Sequence, residues 1–464
     1  MKISYRSVRS LKWLLRLIAA AATVFAVAWA VENWRGDHAW HALAREYADK
    51  GESLDYAAYR SPSIPDERNL FRAPLLVSLL ESNDPARREL LFKTHLQEIS
   101  AAIAEVVPQP GSFPDFSRLR FALQIQLRQY HLFTEKFSDP PAADVLRALK
   151  PLEPLLDEFR QNVHDRPDGA LNLDTYFRSG ASWGPLLELA EVLSARADAL
   201  IELGHVDQAL ADNLAVLGMA RALLRDSKTI LETLLGDVIA LRTLSSFKEG
   251  CSRHLWTDPQ LTSYAQLLLD CRPLQSLDQA LRVGQVGQLY YLDHLDSVPW
   301  GEKAPFWLHF HGWAQQNKVS LGSLFEHDVF PAFDAKTNRI FLERLKDLKA
   351  LGSVLEASRS PYDWAAARQG KFLGEIIANV GHAQEVLIYA TTAAALERHR
   401  IIQGELPARL EELEPMLIPA VPCGVFDGRP LRYTRSPAGG YQLAAEGGDK
   451  DSAWDQTESS QSAK

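Results

Sequence analysis

The chain has 464 residues, of which 46% are hydrophobic and 23% charged, with a formal net charge of −9 and an isoelectric point near 5.8. That is apolar material for packed cores in roughly two to four domains, and an acidic chain without a broad basic face sets nucleic acid aside as a partner. Cys251, Cys271 and Cys423 are too scattered for a disulfide framework or a zinc site. A bridge between the first two would need Cα atoms within about 7 Å, and the helix expected from Pro259 to Cys271, about 20 Å long, tends to separate them.

Residues 1 to 31 carry Lys2, Arg6, Arg9, Lys12 and Arg16 and no acidic side chain. The positive-inside rule therefore places the N-terminus in the cytoplasm and exports the rest. The run WLLRLIAAAATVFAVAWAV, Trp13 to Val31, spans about 28 Å as a helix, close to the thickness of a bilayer core. Arg16, its one charge, is near enough to the cytoplasmic end to snorkel back to the headgroups, and Trp13, Trp29 and Trp34 fit the aromatic belts. The competing reading is a cleaved signal peptide, because Ala26-Val27-Ala28 and Ala28-Trp29-Ala30 have small residues at cleavage-site spacing. No Pro or Gly interrupts the run before them, which favours a retained anchor contacting lipid through residues 13–31.

The sequence divides into a basic tail and anchor (1–31), a stalk helix and linker (32–69), a helical domain (70–394), an α+β segment (395–455) and a polar tail (456–464). The stalk, ENWRGDHAWHALAREYADK, reads as a polar helix stopped by Gly51. From about Leu70 to Leu351, apolar residues at three- and four-residue spacing are broken by clusters such as Asp139-Pro140-Pro141 and Asp165-Arg166-Pro167-Asp168-Gly169, a mainly helical pattern. The clearest pair is a hairpin from Pro185 to Leu224, with Leu186, Leu189, Leu193, Ala197 and Leu200 on one face, a turn at Gly204-His205, and Leu210, Leu214, Leu217 and Leu224 on the return. Its turn resembles that of a tetratricopeptide repeat, but no second copy follows at that period. The fold class is therefore mainly α: an N-terminal transmembrane helix, an irregular multi-helix domain with a repeat-like array as the alternative, and a small C-terminal α+β part with a β-hairpin. Between Val298 and Pro331 the helical spacing loosens around PWGEKAPFWLHFHGW and reads as a long loop; it resumes from Phe333.

The run from Ala395 to Asp455 resembles the C-terminal part of type II secretion pseudopilins, in which a long helix is followed by G-x-x-P, an L-x-x-L turn, P-x-x-P, an Asp/Gly turn and a β-hairpin. Gly404 and Pro407, Leu410 and Leu413, and Pro419 and Pro422 match these in order. Asp427 and Gly428 are adjacent where the family spaces them, and they precede the expected strands Leu431-Arg432-Tyr433 and Tyr441-Gln442-Leu443. The N-terminal helix lacks the prepilin cleavage pattern, so the resemblance covers about an eighth of the chain. The whole layout is similar to bacterial membrane-anchored proteins that end in this kind of segment. It implies the inner membrane, with the bulk of the chain periplasmic and an envelope protein as partner, and it raises calcium at Asp449, Asp451 and Asp455, which offer hard oxygen ligands.

No nucleotide-binding or metalloprotease signature is present, and no other cofactor is expected. Gly180-Ala181-Ser182-Trp183-Gly184 formally fits a nucleophile elbow, but Ser182 lacks the alternating strands and helices of a hydrolase and an assignable Asp and His. His309 and His311 share one face if their segment is a strand, with His294, Glu326 and His327 nearby in sequence. His382 and Glu385, one helical turn apart, stand in the reverse of the Glu-then-His order of bundle metal sites, and Glu202-x-x-His205 runs into a turn. The leading expectation is a membrane-tethered binding or scaffold protein of the cell envelope, with no catalytic residue assigned. The alternative is an exported enzyme with its site near Trp300 to Trp313 or at Ser182.

Overall fold

The structure, a computed structural model, describes residues 5–59, 64–80, 94–107, 109, 111–128, 136–137, 140–170, 183–295, 305–436, 440–445 and 454–456. It is mainly helical, with an apolar N-terminal helix and a small C-terminal sheet, the class that the spacing predicts. It divides into two compact units, each assembled from stretches distant in sequence: Met1–Arg60 with Arg282–Ala332 and Leu342–Ile376, and Ser61–Leu281 with Phe333–Phe341 and Ile377–Lys464. The helices Pro273–Asp293 and Trp364–Gln403 contribute residues to both.

In the first unit one helix, Tyr5–Asp49, runs from the basic tail through the apolar stretch to the end of the polar one. Among the described residues it is the helix long and apolar enough to cross a membrane, with a mean hydropathy of 2.1 over its apolar window and no part of that window buried. Beyond Val31 its character changes: Leu43 and Tyr47 are buried, because the helix His311–Leu324 packs along it. That helix lies where the aromatic crowding of residues 298–331 predicts a loop, an error with a physical cause. Its inward residues include Gly312, Ala314, Gln315, Asn317 and Gly322, so no apolar period marks it. Those small residues let two backbones meet. A Cβ on Gly36 would lie 2.7 Å from the Gly312 carbonyl oxygen, and one on Gly322 would lie 2.6 Å from Leu43 Cδ2. Farther along, Tyr47 Oη donates to the Gly322 carbonyl at 2.9 Å and accepts from Gln285 at 2.5 Å, and Lys50 pairs with Glu326. The partners rise together, so the two helices run parallel.

The second unit is built around the predicted hairpin, Gly184–Glu202 and Val206–Arg225, with Gly204 at φ +78° in the turn. The first of these helices packs against Leu96–Val106, Pro141–Leu149, Ile230–Arg242 and Leu244–Ser252; the second packs against Glu153–Asp165, Ile230–Arg242 and Asp258–Asp270. Leu186, Leu189, Leu193, Ala197 and Leu200 are all buried, as their spacing predicts. On the return helix Leu210 and Leu214 are only half-buried, whereas the polar Asp212 and Asn213 are fully enclosed. Charge pairing explains the inversion. Asp212 is gripped by Arg160 and Arg196, which also reach Glu153, and Asn213 donates to Ser246 at 2.8 Å.

The C-terminal segment joins the same core. Gly404, at φ +85°, ends the helix Trp364–Gln403, Leu410–Leu413 forms a single buried turn, and Tyr433 Oη donates to the Pro407 carbonyl at 3.0 Å. Arg432–Arg435 and Tyr441–Ala444 pair antiparallel with Tyr433 opposite Leu443, which places the hairpin within two residues of its predicted strands. A third strand, Trp454–Asp455, adds to Tyr441–Ala444. Two residues are too few to show alternation, and neither it nor the short hairpin Phe333–Asp334 with Arg339–Ile340 is signalled by periodicity. Tyr441, Leu443 and Trp454 are buried with the helical core.

Candidate functional site

Most of the residues nominated from the sequence resolve into packing roles. Ser182, Trp300, Asp449 and Asp451 lie outside the described residues. Asp455 sits in the last strand beside Lys248, whose ammonium lies 5.6 Å from the Trp454 ring. Burial lowers the lysine's proton affinity and the Asp455 charge acts the other way. His311 pairs with Asp37 at 2.6 Å, joining the starts of two packed helix segments. His294 stacks on Tyr290 at 4.1 Å, and His327 approaches Glu46 at 3.9 Å, whereas Glu326 pairs with Lys50. His382 leans on Phe426 at 4.6 Å, and Glu385 accepts from the Val425 amide at 3.2 Å. Glu202 binds Arg253, and His205 stands at the N-cap of the return helix. Among the described residues no three His, Cys, Asp or Glu side chains converge in a way that holds a metal ion. All three cysteines are free thiols, Cys251 and Cys271 buried and Cys423 exposed.

A different place stands out in the second unit. The end of the helix Val206–Arg225, the end of Asp258–Asp270 and the first turns of Pro273–Asp293 surround a cavity of about 380 Å³. Its wall carries Arg221, Arg225 and Arg272, with Asp270 as the one carboxylate, together with Ser276, Gln275 and Gln279. Local structure positions each group. Arg221 and Arg225 are one helical turn apart and share a face. Arg221 donates to the Pro167 carbonyl at 3.0 Å and stands 3.7 Å from Asp270, and its buried Nε lacks a hydrogen-bond partner among the described residues. Arg225 reaches Asp168 at 2.7 Å, and Arg272 donates to Gln275 Oε1 at 3.3 Å. Ser276 is tied to Thr233, and through it to Ser227, by 2.9 Å hydroxyl contacts.

Guanidinium groups in excess of carboxylates, with amide donors between them, form a wall that accepts a carboxylate or a phosphate. Among the wall residues no nucleophile is paired with a base, since Ser276 meets only another hydroxyl. The sequence signal was slight, an Arg-x-x-x-Arg at a helix end and an arginine before Pro273, and nothing in periodicity brings those helix ends together.

A second cavity in this unit, about 10 Å³, is just large enough to admit one water. It is lined by Glu191, Ser194, Asp198, Arg242 and Ser245, among others. Glu191 is paired with Arg242 at 2.6 Å and Asp198 accepts from Ser245 at 2.7 Å, while Ser194 Oγ and Arg242 Nε lack protein partners. Burial pushes the Asp198 carboxyl well above its ordinary range, and the Ser245 hydroxyl acts the other way. This network ties helices together in the core and has no room for a substrate. Compared with protein-family models, curated proteins and solved structures, the chain matches none of them.

Proposed function

We propose that this is a membrane-tethered binding or scaffold protein of the bacterial cell envelope, with its N-terminus in the cytoplasm and both folded units on the other side of the inner membrane. The observation that carries this reading is the unbroken helix Tyr5–Asp49, which leads from a basic tail, through an apolar span with no protein cover, into the packed first unit. Four basic residues ahead of that span, with Arg16 near its start, supply the orientation. Binding rather than catalysis is supported by the arginine-lined cavity, which offers donors for an anion and no nucleophile with its base.

The C-terminal segment adds a surface for an envelope partner, in keeping with its likeness to pseudopilins. Arg432–Arg435 is the outer strand of the sheet, and among the described residues it pairs only with Tyr441–Ala444. Its second edge presents backbone donors and acceptors beside Arg432 and Arg435, a fit for an extended acidic segment. Deleting residues 395–455 would remove core side chains as well, so the test is a photo-crosslinking residue at Thr434 of the full-length protein in membranes, with Glu158 as an exposed control. A defined adduct from position 434, absent from 158 and lost on Arg432→Glu/Arg435→Glu, is the expected result. Indistinguishable patterns from the two positions would contradict the docking role.

A further inference from the structure

The aromatic stretch ahead of the helix His311–Leu324 belongs to the first unit, and it ends beside the membrane span. Two contacts fix its depth. The Gly312 amide donates to Asn33 Oδ1 at 2.8 Å, and a Cβ on Gly312 would lie 2.7 Å from the carbonyl carbon of Glu32. The helix therefore starts level with the first polar residues after the apolar run. Because it then rises parallel to Tyr5–Asp49, the residues before it lie on the membrane side. The rings agree: Phe310 is 5.6 Å from Trp29, Trp29 is 5.9 Å from Phe25, and Phe306 is 5.1 Å from Phe310. Trp29 itself is about 3 Å inside the apolar end at Val31.

Phe306–His309 is a single 3-10 turn that buries Leu308 but leaves Phe306 77% exposed. A large aromatic side chain that bare in water is unfavourable. At the depth of Trp29 the same ring meets the headgroup and upper acyl region, where aromatic side chains are favoured.

We infer that the turn Phe306–Phe310 is a second membrane contact, an aromatic foot that inserts into the outer-leaflet interface beside the transmembrane helix and fixes the tilt and rotation of the first unit on the bilayer. This rests on the membrane reading above. The ligand is the lipid surface itself, met through Phe306, Trp307 and Phe310 together with Trp29, and no single headgroup is selected. A stretch that the sequence nominated as a catalytic region thereby becomes an anchor.

The test uses full-length protein with Cys423→Ser, the buried Cys251 and Cys271 retained, and one spin-labelled cysteine at a time: Phe306→Cys, Val24→Cys within the apolar run, or Asp49→Cys, about 38 Å farther up the same helix. After reconstitution into vesicles of phosphatidylcholine and phosphatidylglycerol, collisions with oxygen, which partitions into lipid, are compared with collisions with a water-soluble nickel chelate. The expected result is oxygen-dominated collision at positions 24 and 306 and the reverse order at 49. If 24 reads lipid while 306 reads water like 49, the foot is overturned and the anchor stands. If 24 also reads water, the anchor and the foot fall together.

Discussion

Gly312→Val should destabilise the first unit by about 3 kcal/mol or more, the upper range for overpacking a close contact. The neighbours that its Cβ would meet are backbone atoms, the Glu32 carbonyl carbon at 2.7 Å and the Asn33 nitrogen and Glu32 oxygen at 2.8 Å, so no rotamer change relieves the clash. Gly36 faces the same seam from the other helix. Gly284 is the internal control. It is also in a helix and in this unit, with nothing within 4 Å of an added Cβ. Gly284→Ala should be neutral or stabilising by up to about 1 kcal/mol, the helix-propensity difference. Thermal unfolding in detergent reports the size of each effect, and hydrogen exchange over residues 311–324 reports its place. Two variants that behave alike would show that the two helices do not touch backbone to backbone.

Two buried aspartates in the second unit should respond in opposite directions to the same isosteric change. Asp212→Asn removes the charge that two arginines, Arg160 and Arg196, close upon, and should cost about 3 kcal/mol, because breaking a buried pair leaves its partners under-compensated. Burial raises the Asp212 carboxyl and the two guanidiniums offset part of the rise, leaving it at about 6, so it is ionised at pH 7.5. Asp237 is also fully enclosed, but neither of its carboxyl oxygens has a hydrogen-bond partner among the described residues. Burial alone therefore raises its proton affinity far above the ordinary range.

A carboxyl raised on folding binds its proton more tightly in the folded state. Its contribution is fully present below the unfolded value of about 3.9 and is lost as the pH rises towards the folded value. Asp237→Asn should stabilise the protein at pH 7.5 by about 1–3 kcal/mol, because the isosteric amide has no charge to bury and no proton to take up on folding. The gain over wild type should shrink to nothing as the pH is lowered to about 4. Denaturant unfolding of both variants across pH 4–8 measures this, and a pH-independent gain for Asp237→Asn would rule out titration of that carboxyl as the cause.

What the sequence disclosed follows from the kind of information each element carries. The membrane span, the hairpin Gly184–Arg225 and the C-terminal strand pair are written in local composition and spacing: the hairpin's ends fall within a residue of their prediction, the strands' within two, and the apolar run lies inside the longer helix Tyr5–Asp49. The helix His311–Leu324 was missed because glycine, alanine and amide side chains take up most of its inner face before Leu321 and Leu324, which fits close backbone approach instead of apolar burial. Asp212 and Asn213 took interior positions that spacing would give to Leu210 and Leu214, because Arg160, Arg196 and Ser246 come from other helices to meet them. The arginine-lined cavity was invisible for the same reason, since its groups are ordinary helix-end residues until three helix ends converge.

The chain carries its own reporter for the claim that both folded units are outside the cytoplasm. Cys423 is exposed, whereas Cys251 and Cys271 are buried and burial pushes the Cys271 thiol up to about 12 and the Cys251 thiol well above its usual range, so Cys423 is the accessible thiol of the three. Intact spheroplasts expressing the native sequence are treated with a membrane-impermeant maleimide, and labelling is compared with that after permeabilisation. Labelling of Cys423 to the same extent in both is the predicted result; labelling that requires permeabilisation would place the C-terminal unit in the cytoplasm and contradict the proposed topology.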